Sequence, residues 1–109
     1  MRRGDIWTVA GGPDYAGKSR PAMILQSDAF DATASITVVP FTTYTLNAPL
    51  LRLPIEPSEF NGLRVSSQLM IDKITTVARS KLRRRVGRLT DRDIININRA
   101  VVVFLGLIG

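Results

Sequence analysis

The 109-residue sequence contains neither cysteine nor histidine, and these two absences narrow the chemistry that the protein can perform. Without cysteine there are no disulfides and no thiolate metal sites, so a reducing cytoplasm is the expected location. Without histidine, a Ser-His-Asp triad, a histidine-pair ribonuclease and a histidine-rich zinc site are all excluded. The 9 carboxylates show no metal-ligand spacing, so we expect no metal and no cofactor.

Long apolar runs are also missing from the sequence. The longest one, Ala100 to Ile108, is too short to span a bilayer. No apolar segment follows the opening Met1-Arg2-Arg3, so a signal peptide is not expected either. A length of 109 residues with 45% hydrophobic side chains predicts a single globular domain over residues 1–109.

The charge is strongly positive, with 15 basic and 9 acidic residues and a net charge of +6. Only Lys18, Lys73 and Lys81 are lysines, so most of this charge is arginine, whose planar fork suits phosphate groups and base edges. Two interpretations stay open at this point. One is a solvated basic surface, and the other is a polyanionic partner such as nucleic acid or an acidic protein tail.

Short β-branched segments separated by turns predict five or six strands. Pro40 is expected to end the third strand, and Pro54 to place the fourth at a sheet edge. In that fourth strand Leu51, Leu53 and Ile55 alternate with Arg52, which indicates one buried and one solvated face. The glycine-rich residues 10–18 predict a mobile loop. The expected strands cover residues 6–9, 21–26, 36–40, 51–55, 67–71 and 84–89.

One helix is predicted at the C-terminal end. Thr90 is a good N-cap, and Asp93 stands three residues later, as in a capping box. The apolar residues behind them recur every three or four positions, which predicts a face that packs on the core or forms a dimer contact. These residues are Ile94, Ile97, Val101, Leu105 and Ile108. The fold class is therefore mainly β, a small antiparallel barrel with a C-terminal α-helix.

Several segments, taken in order, resemble the MazF/PemK (Kid-type) toxin family of type II toxin–antitoxin systems. The three stronger ones are Arg3–Trp7, residues 18–26 (KSRPAMILQ) and residues 38–43 (VVPFTT). Weaker matches are residues 62–67 and 71–77. The resemblance covers nearly the whole chain, and its specificity comes from the order and spacing of all segments together.

The resemblance implies an SH3-like barrel that forms a homodimer and places single-stranded RNA, expected to be messenger RNA, along the dimer interface. It implies cleavage at short sequence motifs by a toxin endoribonuclease. It also implies an acidic antitoxin that wraps the dimer and blocks the groove, and no membrane association.

RNA can be cut without a metal if its own 2′-hydroxyl attacks the adjacent phosphorus. Stabilising the negative charge of the resulting phosphorane is expected to contribute most to catalysis, and an arginine with fixed hydrogen-bond donors suits this role. Arg20 starts a rigid apolar strand directly after the predicted loop, and the family's matching arginine is the main catalytic residue. Thr42 matches the family's active-site threonine and can hold a phosphate oxygen or the 2′-hydroxyl. Each residue also has a structural alternative. Arg20 could form an ion pair, and Thr42 could form a hydrogen bond within a turn.

The acid and base are harder to identify. Kid-type members carry an arginine and an aspartate two residues apart; here Asp72 matches the aspartate, while Met70 occupies the arginine position. Asp72 is therefore the candidate base or acid, and a salt bridge with Lys73 or an arginine is its alternative role.

Further residues are expected to bind RNA through polar contacts or stacking. They are Lys18, Thr43, Tyr44, Ser66, Ser67 and Gln68. The basic run Lys81–Arg85 is expected to be a solvated strand edge rather than a site that reads bases, and such an edge can still steer RNA electrostatically.

Two other functions stay open on the sequence. A gyrase poison of the CcdB type would share the fold, but those toxins end in Trp-Gly-Ile and this chain ends Leu107-Ile108-Gly109. A catalytically silent RNA-binding barrel would account for Met70 and for the missing histidine.

Overall fold

A computed structural model describes residues 1–11 and 18–108, in which seven antiparallel strands form one sheet and a helix follows. The strands are β1 (Asp5–Val9), β2 (Arg20–Ile24), β3 (Ser35–Thr42), β4 (Arg52–Ile55), β5 (Ser67–Met70), β6 (Thr75–Ala78) and β7 (Leu82–Arg88). The helix α1 spans Asp91–Phe104. Most of the predicted loop, residues 12–17, lies outside the described residues.

The sheet order is β4-β5-β3-β2-β1-β7, and β6 pairs with β3 outside this path. The mainly β, antiparallel prediction with a C-terminal helix is confirmed. Within the described residues the sheet is open rather than a closed barrel, because β4 and β7 stand at its two ends. Pro54 lies in β4, so its predicted place at a sheet edge is also correct.

Pro40 does not end the third strand, as the sequence predicted, since β3 continues to Thr42. The reason is that β3 changes partner on one side. Its residues 35–38 pair with β6 and its residues 41–42 pair with β5. Pro40 falls between these two partners, where a missing N–H breaks no ladder on that side.

The helix begins as predicted and ends earlier. The Thr90 hydroxyl accepts a hydrogen bond from the Asp93 N–H at 3.1 Å, which is the expected N-cap. The C-cap is Leu105, and Gly106 follows with a φ of +68°, a left-handed conformation that stops a helix. Leu105 and Ile108 therefore lie beyond the helix whose apolar face they were predicted to share.

Successive side chains of a strand point to opposite faces of the sheet, and here apolar side chains are buried on both faces. One cluster lies between the sheet and α1, and it contains Ile6, Met23, Val39, Phe41, Ile55, Leu69, Ile71, Leu89 and Ile97. A smaller one on the opposite face contains Ala22, Ile24, Ile36 and Val38, with Trp7, Val9, Val77 and Leu82 packed against it. The second cluster forms the base on which the candidate site is built.

Asp5 is buried at the start of β1 and joins three segments of the chain. Its carboxylate accepts hydrogen bonds from the Arg2 backbone N–H at 2.9 Å and from Arg88 Nη1 at 3.2 Å, and Arg85 Nη2 lies 3.5 Å away. Burial alone raises the pKa of this carboxyl, but the hydrogen bonds from Arg2 and Arg88 and the charge of Arg85 outweigh it. The net result is a pKa below the ordinary value of 3.8.

Replacement of Asp5 by asparagine is expected to lower the free energy of unfolding by roughly 1–3 kcal/mol at pH 7, because the arginines lose a buried ionised acceptor. Since the folded-state pKa lies below 3.8, this stabilisation is complete above that value and is lost as the pH falls through the folded-state pKa. The difference between wild type and Asp5→Asn should therefore shrink below about pH 4. Urea unfolding between pH 7 and pH 2 measures it. Exposed Glu59→Gln is the control, and a difference that stays constant down to pH 2 would contradict the assignment.

Candidate active site

A groove of about 620 Å³ opens on the face of the sheet that carries the second apolar cluster. Its floor is formed by apolar residues of neighbouring strands, among them Val9, Ala22, Val38 and Val77. Its described polar lining residues are Arg20, Thr42, Thr43, Tyr44, Ser67, Thr75, Thr76 and Lys81. The groove thus combines an apolar base with hydroxyl groups and cationic groups above it.

The pairing of β2 with β3 brings together the two main catalytic candidates of the sequence. Ala22 is opposite Pro40 and Ile24 is opposite Val38 in this pair. The paired residues of the two strands end at Ala22 and Pro40, and Arg20 and Thr42 each lie two residues beyond that end. Both residues line the groove, and Arg20 is exposed at the first position of β2. The fold therefore brings both residues to the lining of one groove although 22 positions separate them in the sequence.

The Thr42 hydroxyl combines both roles that the sequence left open. Its oxygen accepts a hydrogen bond from the Tyr44 backbone N–H at 3.1 Å, which is the turn interaction. A hydroxyl can accept and donate at the same time, so its own hydrogen remains available for a ligand in the groove. The turn bond consequently orients the hydroxyl without occupying its donor.

Three of the six predicted RNA-binding residues line the groove. Thr43 and Tyr44 follow β3, and the Tyr44 side chain is 73% exposed at the groove mouth. Ser67 also lines the groove, although it is buried and its hydroxyl donates to the Val65 carbonyl at 3.0 Å.

The other three predicted residues are not among those that line the groove. Lys18 is exposed just before β2. The Ser66 hydroxyl donates to the Glu56 carboxylate at 2.5 Å. The Gln68 amide accepts from the Leu46 N–H and donates to the Leu46 carbonyl, each at 3.1 Å. Gln68 thus fixes the segment after Tyr44 through two main-chain hydrogen bonds, a positioning function that the sequence did not predict.

Asp72, the predicted acid or base, does not line the groove among the described residues. It lies in a 3-10 turn between β5 and β6, and its carboxylate pairs with Arg52 Nη1. The Arg52 side chain is only 9% exposed, which corrects its predicted solvated position in β4. The structure therefore shows the salt bridge that the sequence offered as the alternative role of Asp72, with Arg52 rather than Lys73 as its partner.

Sequence reasoning missed the side of the groove formed by β6 and Lys81. Strand β6 has the sequence TTVA, which lacks the apolar alternation of the other strands, and it is recognised only through its pairing with β3. Lys81 was grouped with the basic run that follows it. Lys81 differs from that run in its position just before β7. There its carbonyl accepts a hydrogen bond from the Ala10 N–H at 2.8 Å, so its backbone faces the end of β1.

The described residues contain no group of three acidic, cysteine or histidine side chains placed to hold a metal ion. No helix among the same residues is long and apolar enough to cross a membrane.

Comparison with known proteins identifies the family of this chain. The family model described as "PemK-like, MazF-like toxin of type II toxin-antitoxin system" matches residues 2–105. This chain belongs to that family. The toxin is 59% identical over 109 residues, the full length of both chains, to a "Probable endoribonuclease MazF" of Mycolicibacterium smegmatis. It is 29% identical to endoribonuclease MazF9 of Mycobacterium tuberculosis, with 98% of each chain covered.

Solved structures support the fold of the toxin. A mycobacterial endoribonuclease in complex with its cognate antitoxin matches with a TM-score of 0.82 at 24% identity, covering 100% of this chain and 98% of the other. A MazE–MazF complex of Deinococcus radiodurans matches with a TM-score of 0.78 at 17% identity, covering 97% and 95%. Family membership favours the toxin interpretation over the gyrase poison of the CcdB type and the silent RNA-binding barrel.

Proposed function

We propose that the toxin is an endoribonuclease that cuts single-stranded RNA, with messenger RNA as the expected class, at short sequence motifs. The observation that carries this proposal is the placement of Arg20 and Thr42 in the lining of one groove. The 59% identity to a protein named as an endoribonuclease supports it. The groove is large enough for an extended segment of a single strand, and its apolar floor suits the faces of unstacked bases.

The proposed reaction is attack of the RNA 2′-hydroxyl on the adjacent phosphorus, with no metal ion. Arg20 would donate to two phosphate oxygens at once and stabilise the negative charge that grows on them. Thr42 would donate its free hydroxyl hydrogen to a phosphate oxygen or orient the 2′-hydroxyl. Tyr44 would stack on a base at the groove mouth, while Thr43 and Ser67 offer hydrogen bonds to base edges.

We propose that the toxin works as a homodimer. Apolar side chains at the end of α1 and just beyond it are exposed in the single chain, from 43% for Phe104 to 79% for Ile108. An apolar patch of this kind marks a contact surface on a soluble protein. Sedimentation at micromolar concentration is expected to give a dimer, and a monomer under those conditions would contradict the proposal.

An acidic antitoxin is the second proposed partner. The net charge of +6 and the basic lining of the groove favour an acidic chain that competes with RNA. The antitoxin complexes among the structural neighbours support this assignment. Equimolar antitoxin should suppress cleavage, and unchanged cleavage would argue against it. A cytoplasmic location is proposed with this partner, and cell fractionation would test it.

The purified toxin is expected to cut single-stranded RNA in the presence of EDTA, because the part of the groove that the structure describes offers an arginine, and no metal-binding cluster, for the phosphate charge. The products should carry 2′,3′-cyclic phosphate or 3′-phosphate ends, together with 5′-hydroxyl ends. Mapping the cut ends across total RNA would give the sequence motif. Activity that disappears in EDTA and returns with magnesium would contradict the metal-free reaction.

Arg20→Lys is expected to damage cleavage nearly as much as Arg20→Ala. Lysine keeps the charge but loses the planar fork that holds two phosphate oxygens, so the chemical step should slow by roughly 2–4 kcal/mol, or two to three decades. RNA binding should weaken much less, because most of the 15 basic residues remain. Single-turnover cleavage at saturating protein measures the effect. A folded Arg20→Lys protein that cuts at the wild-type rate would remove Arg20 from the catalytic residues.

Asp72→Asn is the companion variant in the same assay. We propose that Asp72 stabilises the fold through Arg52, so its loss should lower the free energy of unfolding by roughly 1–3 kcal/mol and leave the rate of the folded protein close to wild type. A catalytic acid or base, the role expected from the sequence, would instead lower the rate by about 10²–10⁴-fold. The two roles are therefore distinguished by one variant.

A further inference from the structure

We propose that Lys81 is a catalytic residue of the toxin, and that its ammonium group protonates the 5′-oxygen that leaves when RNA is cut. The inference rests on the proposed function and names the acid that this function requires. The described part of the groove is lined by three side chains with ionisable groups, Arg20, Tyr44 and Lys81, and none of them is a carboxylate.

Arg20 cannot be the acid, because an arginine guanidinium does not release its proton in proteins. Tyr44 lies on the segment after β3 and is 73% exposed at the groove mouth. Lys81 carries three N–H donors on a flexible stem and lines the groove from the opposite side.

The order of the strands sets Lys81 and Thr42 on opposite sides of Arg20. In β1, Val9 is paired with Arg20 on one side and with Leu82 on the other. Because neighbouring strands lie about 4.8 Å apart, the backbones of Arg20 and Leu82 are roughly 10 Å apart. Lys81 directly precedes Leu82, and the hydrogen bond of its carbonyl with the Ala10 N–H fixes its backbone at this distance.

This order matches the geometry of the reaction. In an in-line displacement the attacking and the leaving oxygen lie on opposite sides of the phosphorus. With the phosphate held by Arg20, we assign the 5′-oxygen to the side of Lys81, whose ammonium group carries a transferable proton, and the 2′-hydroxyl to the side of Thr42. One side thus orients the nucleophile, and the other protonates the leaving group.

The step balances in atoms and charge. The bond between the 2′-oxygen and phosphorus forms, and the bond between phosphorus and the 5′-oxygen breaks. The 2′ proton passes to water, and Lys81 Nζ gives one proton to the 5′-oxygen. The neutral amine then regains a proton from water, and the products are a 2′,3′-cyclic phosphate and a 5′-hydroxyl.

The neighbouring basic residues do not share this position. The Arg83 guanidinium donates to the Ser80 carbonyl at 3.3 Å, and Arg85 lies 3.5 Å from the Asp5 carboxylate. Neither is among the described residues that line the groove. Lys81 is therefore distinct from the exposed basic surface of β7.

The test compares two RNA oligonucleotides in single-turnover cleavage, one unmodified and one with sulfur in place of the scissile 5′-oxygen. A thiolate leaves without protonation, so this substrate does not need the acid. The Lys81→Ala protein is expected to cleave the unmodified RNA about 10²–10⁴-fold more slowly than wild type and to cleave the sulfur substrate near the wild-type rate. Lys81→Arg should behave like Lys81→Ala on unmodified RNA, because arginine keeps the charge but not the transferable proton. Lys73→Ala is the matched control, since Lys73 is exposed, is not among the groove residues and removes the same charge.

Equal slowing of both substrates by Lys81→Ala would mean that Lys81 only holds a phosphate, and the proposal would be overturned. A wild-type rate for Lys81→Ala on unmodified RNA would overturn it as well, as would sulfur rescue that appears with Tyr44→Phe instead. Wild-type protein that cuts neither substrate would overturn the proposed function itself, which is a distinguishable result.

Discussion

The site depends on one constraint, the change of partner along the long strand β3. Its residues 38–40 pair with β2 along one side, while on the other side β6 and β5 follow one another. The pairing with β2 leads Arg20 and Thr42, each two residues beyond the paired segment, into the lining of the same groove. A slip of one residue would turn every side chain of that strand to the other face, so the packing of Val38 and Val39 in the two clusters also fixes the site.

The sequence predicts the structure correctly where local patterns and the family motifs agree. The cap at Thr90, the edge position of Pro54 and the groove positions of Arg20, Thr42 and Tyr44 all follow from residues near in sequence or from matched segments. The errors arose where a distant partner decides the outcome. Pro40 is tolerated inside β3 because of where β6 and β5 end, and Arg52 is buried because Asp72 lies beside it. No local pattern contains this information.

The same reasoning explains why two polar residues predicted to bind RNA, Ser66 and Gln68, are placed elsewhere. A serine or glutamine next to a matched segment offers the same hydrogen-bonding groups whether it meets a ligand or the main chain. Ser66 is engaged by Glu56, and Gln68 by the backbone of Leu46. Gln68 still contributes to the site indirectly, because it fixes the segment that carries Tyr44.

The described carboxylates that pair with arginines lie outside the groove, where they stabilise the fold. Asp5 and Asp72 each compensate arginines outside the groove, and no carboxylate lines the part of the groove that the structure describes. In the proposed reaction Arg20 and Lys81 would act on a bound phosphate over an apolar floor that weakens solvent screening. In the proposed reaction a chain without histidine uses an arginine to stabilise the phosphorane and a lysine to supply the proton, because Arg20 at the start of β2 and Lys81 just before β7 are set apart by strand β1.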